Sequence, residues 1–245
     1  MSDMELGTTL SRGSRGIKVR LVQEWLTLHD LHVAVDGAFG PATEFAVRQF
    51  QKKKSLPQTG RVTRETFDEL VAPMSRAAAG IEPGGRGLGA LVVAFTRQHL
   101  KEHPREVGGQ NSGPWVRLYM NGNEGAAWPW CAGFVSFVLN QACRSRGVST
   151  PIQPSFSCDS LAASAKQRGR FVSESEAGTA KPITPGAIFL NRRTPTDWVH
   201  TGIVLRARED VFETIEGNTN DQGSREGFEV CQRIRGYAQK DFILV

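Results

Sequence analysis

Cys131 stands in a sequence context that could turn a thiol into a nucleophile. It follows Pro129 and Trp130 and precedes the largely apolar run 132–139. Because proline favours the first turn of a helix, this pattern predicts a helix over 130–144 with the thiol in its first turn. The unpaired N–H groups and the dipole at a helix start stabilise the reactive thiolate. Taken alone, the same cysteine could equally be a small buried side chain.

A nucleophilic cysteine needs a base, and His200 is the best placed of the five histidines. It lies near the start of the strand-like segment 199–205, in which His200 and Gly202 share one face. We expect Gly202 to leave open space for substrate beside the imidazole. The alternative for His200 is a residue at a strand edge that faces water.

Glu216 and Asn218 end the next strand-like segment, 211–218, where an extended chain points both side chains to the same face. Glu216 could accept a hydrogen bond from one ring nitrogen of His200 and hold the other nitrogen toward sulfur. The alternative for Glu216 is a surface acid at a strand end. Cys131, His200 and Glu216 are weak signals singly, but together they favour a cysteine hydrolase.

The remaining cysteines, Cys143, Cys158 and Cys231, are expected to serve packing. Cys143 and Cys158 lack a comparable helix-start context, and Cys231 lies in an alternating strand pattern. No two of the four cysteines form a CxxC pair, which argues against a metal knuckle or a thioredoxin-type motif. We therefore expect reduced thiols.

Composition bounds the classes of partner. With 39% hydrophobic and 22% charged residues in 245, the chain has the composition of a soluble protein, and its net charge of +5 favours anionic partners. No apolar run is long enough for a membrane span. No zinc-finger or RNA-binding signature favours nucleic acid. Residues 1–10 contain no basic region followed by an apolar run, so we expect no secretory signal peptide.

A composition change near Pro73 divides the chain. Small residues, glycine and proline dominate 73–89, which is typical of a flexible linker. The division predicts an N-terminal domain over 1–72 and a second domain over 90–245. In the first domain, helical spacing predicts three helices. The second of them should begin at Pro41 and turn Phe45, Val47 and Phe50 inward.

The first domain resembles a three-helix peptidoglycan-binding domain over about residues 9–71. The resemblance rests on L-S-R-G-S-R-G-I-K-V-R-L-V-Q-E-W-L, on V-D-G-A-F-G-P-A-T-E-F-A-V-R-Q-F-Q and on L-P-Q-T-G-R-V-T-R-E-T-F-D-E-L. Ser55 is a small departure, because such domains often have glycine there. The resemblance implies bacterial peptidoglycan as a partner. The motif residues themselves shape turns and fill a core, so they do not identify the wall-contacting side chains.

The second domain changes from helical to strand-like patterns. Helices are expected over 88–101, 130–144 and 157–167, and strands follow beyond Pro185. Helices first and strands later predict an α+β fold with an antiparallel sheet.

This domain resembles the CHAP family of cysteine, histidine-dependent amidohydrolases/peptidases, within the papain-like/NlpC-type superfamily. The matching pieces are P-W-C-A-G-F-V-S-F-V-L, P-G-A-I-F-L, V-H-T-G-I-V and T-I-E-G-N-T. The resemblance implies Cys131 as nucleophile, His200 as base, Glu216 as orienting acid and Asn218 as a supporting residue. The sequence departs from the common G-H-V-G pattern. The loop 192–198 also looks longer than a tight strand connection needs.

Substrate contacts are expected from aromatic side chains. Trp130 and Trp198, with Trp128, would line a groove, since they combine apolar area with a polar edge. The backbone N–H of Cys131 is the natural first oxyanion donor. By analogy with NlpC-type enzymes, Tyr119 is a candidate for the second, although a tyrosine of the core or groove wall is the plainer interpretation.

A zinc peptidase is the metal-dependent alternative. His99 and His103 are four residues apart and could share a helix face. Pro104 follows at once and no H-E-x-x-H motif occurs, so we expect solvated helix-end residues, no metal and no cofactor.

Together these patterns predict a monomeric peptidoglycan hydrolase that cleaves an amide bond of the cell wall. An N-acetylmuramoyl-L-alanine amidase is favoured, with a stem-peptide endopeptidase and a non-catalytic wall-binding protein as alternatives. A protein made in the cytoplasm without a signal peptide and acting at the wall fits a phage endolysin or a secreted antibacterial effector. An effector could also have an immunity protein or secretion machinery as partners.

Overall fold

The structure is a computed structural model that describes residues 2–177, 181–220 and 227–245. After a short 3-10 helix, Ser2–Met4, the N-terminal part forms three α-helices. They are α1 (Ile17–Leu28), α2 (Pro41–Lys53) and α3 (Arg64–Ala78). The helix α3 has Thr63 as its N-cap, whose side chain accepts a hydrogen bond from the N–H of Thr66.

Two of the three α2 side chains expected to point inward are buried. Phe39, Val47 and Phe50 are buried, but the expectation that Phe45 points inward is wrong, because its side chain is 65% exposed. The buried face of α2 follows Thr43, Ala46, Val47 and Phe50 at helical spacing, and Phe45 falls outside this series.

The C-terminal part combines four helices with one sheet, which confirms the α+β class. The helices are α4 (Leu88–Lys101), α5 (Pro114–Tyr119), α6 (Cys131–Arg146) and α7 (Cys158–Gln167). The strands are β1 (Phe171–Val172), β2 (Ile188–Thr194), β3 (Asp197–Ala207), β4 (Val211–Thr219), β5 (Glu229–Gly236) and β6 (Lys240–Ile243). They pair in the order β1-β6-β2-β3-β4-β5, and every pairing is antiparallel.

The middle of the sheet faces the helix that carries the thiol. Helix α6 packs against both β3 and β4. In the β3–β4 ladder Ile203 lies opposite Ile215, and a register shift follows Glu216 on the β5 side. This arrangement brings side chains near the start of β3 and the end of β4 to one place beneath α6.

Two expectations about connections need correction. The segment 192–198 is not a long loop, because β2 continues to Thr194 and β3 begins at Asp197, where these two residues pair. The linker does not begin at Pro73 either. Helix α3 runs through Pro73 to Ala78, so the non-helical connection to α4 is limited to 79–87.

The two parts of the chain share a packed interface, which the linker composition does not predict. The Trp25 ring meets the Trp115 ring edge-on at 5.9 Å, and both side chains belong to one continuous hydrophobic core. Arg117 reaches across to Glu24 and Asp3, each at 2.6 Å. The first three helices therefore lie against the domain with the sheet instead of extending away from it.

Within the described residues, the helices are too short or too polar to cross a lipid bilayer.

Candidate active site

The thiol of Cys131 lies at the first residue of α6. Trp130 is the N-cap and makes no side-chain capping bond, so the start of the helix is not closed by its own cap. Phe134, Val135 and Val138 are completely buried and fix the helix against the core. The backbone N–H of Ala132 hydrogen-bonds to the sulfur and favours its thiolate form. Cys131 itself is buried, with 5% exposure.

His200 and Glu216 form a buried pair beneath this helix. His200 Nε2 lies 2.8 Å from Glu216 Oε2, and the two side chains are 5% and 0% exposed. The expectation that Gly202 opens space for substrate is wrong. A Cβ atom there would lie 2.6 Å from Glu216 Cγ and 2.8 Å from a ring carbon of Phe189. The Glu216 side chain instead lies directly over Gly202 of β3, and the absence of a side chain there lets it reach His200.

The second ring nitrogen of His200, Nδ1, is the one available to the Cys131 thiol. Among the described residues His200 Nδ1 is buried without a hydrogen-bond partner, and Cys131 is close enough to influence the ring electrostatically. Burial alone would lower the pKa of His200, but the neighbouring Cys131 thiolate and Glu216 carboxylate raise that pKa to about 9. The arrangement favours a thiolate–imidazolium pair with the Nε2 proton directed to Glu216.

Glu216 is held by more partners than His200. Arg235 donates to both carboxylate oxygens, at 2.8 Å and 2.6 Å, and the Thr214 hydroxyl donates to Oε1 at 2.6 Å. Burial would raise the pKa of Glu216, but Arg235 and His200 outweigh it and lower that pKa to about 2. Sequence reasoning missed Arg235. Arg235 is on the same face of the sheet as Glu216, and the two-residue spacing of Cys231, Arg233 and Arg235 along β5 is the signal that could have found it.

Cys158 is the second residue that sequence reasoning missed. Its Sγ lies 4.0 Å from Cys131 Sγ. The expectation that Cys158 lacks a helix-start context is wrong, because it is the first residue of α7 and Ser157 caps that helix by accepting from the N–H of Ser160. The motif of a serine followed by an amphipathic run could have indicated this start.

The pKa of the Cys131 thiol reflects these neighbours. The contact with Cys158 and the neighbouring His200 imidazolium outweigh burial and hold the pKa of Cys131 well below its usual range. These neighbours therefore favour the thiolate form of Cys131.

Asn218 lies two residues beyond Glu216, at an irregular position of β4. It has a positive φ of 54° and is buried, and the register between β4 and β5 shifts between Glu216 and Thr219. The chain is thus not regularly extended there, as the alternation argument assumed. A supporting role for Asn218 stays a prediction.

The expected substrate-binding aromatics lie in the interior. The Trp130 indole N–H donates to Glu106 at 2.9 Å, and the Trp198 indole N–H donates to Asp241 at 2.8 Å. Tyr119 is buried and stacked on Trp130, with ring centroids 5.5 Å apart. That substrate contacts these three side chains stays a prediction. In the structure, all three are buried and pack in the interior. Trp128 is half-buried and stacks edge-on against Phe156.

His99 also belongs to the interior, so the expectation of a solvated helix end is wrong for it. His99 Nδ1 lies 2.8 Å from the Tyr119 hydroxyl and Nε2 lies 2.7 Å from Gln141 Oε1. The Gln141 amide nitrogen donates to Ala77 O, so its oxygen accepts from Nε2–H and the tyrosine donates to Nδ1. Burial, the largest influence, lowers the pKa of His99 to about 4. The Tyr119 hydroxyl is thus directed away from an oxyanion role.

His103 does not join His99 in a metal site. Its Nε2 lies 2.7 Å from Glu229 and its side chain is 55% exposed. Among the residues that the structure describes, no group of three or more His, Cys, Asp and Glu side chains is placed to hold a metal ion. His99 on α4 and His103 just beyond its end therefore have separate structural partners.

The comparisons with known proteins concern mainly the N-terminal helices. Residues 15–70 match the family model described as a putative peptidoglycan binding domain. This match includes α1, α2 and the first half of α3. No curated protein matches the chain significantly.

Three solved structures show partial similarity. The N-terminal domain of SleB is 35% identical, with a TM-score of 0.26, over 26% of this chain and 90% of that one. A fused Zn-dependent amidase/peptidase/peptidoglycan-binding protein from Clostridium acetobutylicum ATCC 824 is 25% identical, with a TM-score of 0.26, over 37% of this chain and 42% of that one. A Burkholderia AP3 phage endolysin is 23% identical, with a TM-score of 0.25, over 44% of this chain and 41% of that one. The chain thus spans less than half of the last two, and TM-scores this low carry no conclusion about the site.

Proposed function

We propose that this protein is a cysteine-dependent peptidoglycan hydrolase that cleaves an amide bond of the bacterial cell wall. The observation that carries the proposal is the buried line of Cys131, His200 and Glu216 at the start of α6. The 2.8 Å contact between His200 and Glu216 and the mutual influence of His200 and Cys131 on their pKa values support it. A thiol, a base and an orienting carboxylate are what acyl transfer through a covalent intermediate needs.

The reaction follows from the charge state of the pair. The Cys131 thiolate attacks the amide carbonyl, and the carbonyl oxygen becomes an oxyanion for which the Cys131 N–H is the first candidate donor. The C–N bond then breaks, and the His200 imidazolium gives its Nδ1 proton to the departing amine. Neutral His200 next takes a proton from water, whose oxygen attacks the thioester and releases the carboxylic acid. Glu216 keeps the ring oriented and stabilises its charged form.

The choice of substrate rests on the N-terminal helices. Their match to a putative peptidoglycan binding domain over residues 15–70 supports the cell wall as the partner of the chain. Tethering to an insoluble polymer raises the local concentration of its bonds around the active site. Within the wall, we favour the N-acetylmuramoyl-L-alanine bond, with stem-peptide bonds as the alternative.

The test is turnover on purified peptidoglycan by the full chain and by two cysteine variants. Cys131→Ala should abolish the release of soluble fragments without lowering the melting temperature. Cys143→Ala is the matched control, because Cys143 is also buried in α6 but lies about 18 Å along the helix from Cys131. Full turnover in Cys131→Ala would refute the proposed nucleophile. Binding without turnover in the unsubstituted chain would indicate a wall-binding protein.

Mass spectrometry of the released fragments identifies the bond. New free amino groups on L-alanine mean an amidase, whereas new amino groups on a later stem residue mean an endopeptidase.

A further inference from the structure

Two thiols meet inside the candidate site, although only one is needed as a nucleophile. The sulfur atoms of Cys131 and Cys158 lie 4.0 Å apart, and the residues are 5% and 7% exposed. Each is the first residue of its helix, so two helix starts converge on this pair. A structural role in packing would not require a second sulfur within hydrogen-bond distance of the first.

The separation is close to what a disulfide needs. A sulfur–sulfur bond is about 2.0 Å long, so each sulfur would have to move by only about 1 Å. Because both residues begin their helices, each side chain has a preceding turn of non-helical chain on its N-terminal side. The N–H groups at both helix starts stabilise thiolates, and the thiolate is the form that reacts with oxidants.

We propose that Cys131 and Cys158 are a redox-active pair that a peroxide converts into an intramolecular disulfide. The Cys131 thiolate attacks one peroxide oxygen, the O–O bond breaks, and the products are a sulfenic acid and water. The Cys158 sulfur then attacks the Cys131 sulfur, and a second water leaves. In total the two thiols lose two electrons and two protons, and the peroxide is reduced to two molecules of water.

Cys143 does not compete for this reaction. Cys143 is on the same helix as Cys131, about 18 Å away along the axis, which no disulfide can span. Burial raises the pKa of the Cys143 thiol, which keeps it protonated and slow to react. Cys231 lies on β5, where Arg233 donates to its sulfur at 2.7 Å.

The pairing has two consequences for the site. A disulfide occupies the Cys131 sulfur, so the oxidised protein cannot hydrolyse amides; this consequence rests on the proposed function. The second consequence is protective. Capture of the sulfenic acid by Cys158 prevents further oxidation to the sulfinic acid, which a thiol reductant cannot reverse.

The experiment treats the reduced full chain with a stoichiometric amount of hydrogen peroxide and follows it by intact mass and non-reducing peptide mapping. The unsubstituted chain should lose two hydrogen masses, give a peptide joining Cys131 to Cys158, and return to its starting mass with dithiothreitol. Cys158→Ser should instead gain one oxygen mass with one equivalent of peroxide and a second with excess peroxide, and dithiothreitol should not reverse the second step. Cys143→Ser, the matched control, should behave like the unsubstituted chain.

The proposal is overturned if no Cys131–Cys158 peptide forms, or if the unsubstituted chain accumulates oxygen as Cys158→Ser does. Disulfides between two copies of the chain would overturn it as well. Should Cys158→Ser fail to fold, peptide mapping of the unsubstituted chain alone decides the question. Peptidoglycan turnover is measured on the same oxidised and reduced samples. A reversible disulfide with no turnover in either state would support the pair and refute the proposed hydrolase.

Discussion

Arg235 holds both carboxylate oxygens of Glu216 in a two-pronged contact, with Nε 2.8 Å from Oε1 and Nη2 2.6 Å from Oε2. The plane of the carboxylate is thereby fixed, and Oε2 still accepts from His200 Nε2 at 2.8 Å. A bidentate arginine contact adds orientation as well as charge. Arg235 is therefore a positioning residue, which acts on His200 through Glu216.

Replacing Arg235 by Gln should lower both stability and turnover. The change leaves the carboxylate of Glu216 buried without its main counter-charge, a loss on the order of 3 kcal/mol. Turnover should fall by at least about tenfold, because the His200 ring loses its fixed acceptor. Thermal unfolding and initial rates on peptidoglycan measure the two effects.

The substitution Arg235→Lys separates the effect of the positive charge from the effect of the two-pronged contact. Lysine keeps the positive charge but cannot make the two-pronged contact, so stability should recover more than turnover. Equal recovery of both would mean that Arg235 supports only the fold. Arg208→Lys is the matched control, because Arg208 contacts Glu213 in a similar way at an exposed place on the sheet.

The pH dependence of turnover should have a broad plateau. The pKa of Cys131 is held well below its usual range, and the pKa of His200 is raised to about 9. The acidic limb should reflect loss of the thiolate, and the alkaline limb, near pH 9, should reflect loss of the imidazolium proton that the departing amine needs. Rates of iodoacetamide alkylation at Cys131 report the thiolate directly. Alkylation that rises only above pH 8 would contradict the ion pair.

The pH dependence of stability should follow His200 and Glu216. Because the folded pKa of His200 is above its ordinary value of 6.5, its contribution is complete below about pH 6.5 and is lost as pH rises through about 9. The folded pKa of Glu216 is below its ordinary value of 4.5. Its contribution is therefore present above about pH 4.5 and is lost as pH falls toward about 2.

The elements that carry the site are predictable from the sequence because their patterns are local. Pro129 before an apolar run indicates the helix start at Cys131, and alternation indicates the strands of His200 and Glu216. The same reasoning identifies the fold class. It does not predict α5 or β1, since elements of six and two residues are too short to show a period.

The partners across elements could not be predicted, because they depend on register and packing. Arg235 reaches Glu216 only through the β4–β5 ladder, and Cys158 reaches Cys131 only because two helices converge. The wrong expectation for Gly202 has the same origin. A glycine two residues from a candidate base indicates space, but the sequence does not say whether a substrate or the side chain of Glu216 fills it.

Gly202→Ala should therefore disturb the His200–Glu216 pair. The added Cβ would meet Glu216 Cγ at 2.6 Å and Phe189 at 2.8 Å, both too close for real contacts. We expect a loss of about 1–3 kcal/mol from overpacking and a larger fractional loss of turnover. Gly80→Ala is the control, because nothing lies within 4 Å of its Cβ position. A fully active Gly202→Ala variant would show that the Glu216 side chain need not lie over residue 202.

The interface between the two parts of the chain yields the last prediction. Arg117, whose side chain is 14% exposed, pairs with Glu24, Asp3 and Glu124, each at 2.6 Å, and Glu24 is completely buried. Arg20 closes the network at 3.0 Å from Glu24. Since Asp3 and Glu24 belong to the N-terminal part and Arg117 lies on α5, the network joins the two parts.

Arg117→Met should destabilise the whole chain, because it leaves the Glu24 carboxylate buried beside fewer cations. The cost should be on the order of 3 kcal/mol, which lowers the melting temperature by roughly 6–12 °C for a chain of this size. Glu24→Gln in the same background should restore part of the loss, since the uncompensated charge is then removed. Arg64→Met should change little, because Arg64 and its partner Asp68 are both exposed. Two results would contradict this: an unchanged melting temperature in Arg117→Met, and a fragment 79–245 that melts as the full chain does. Together they would show that the two parts are independent domains joined by a flexible segment.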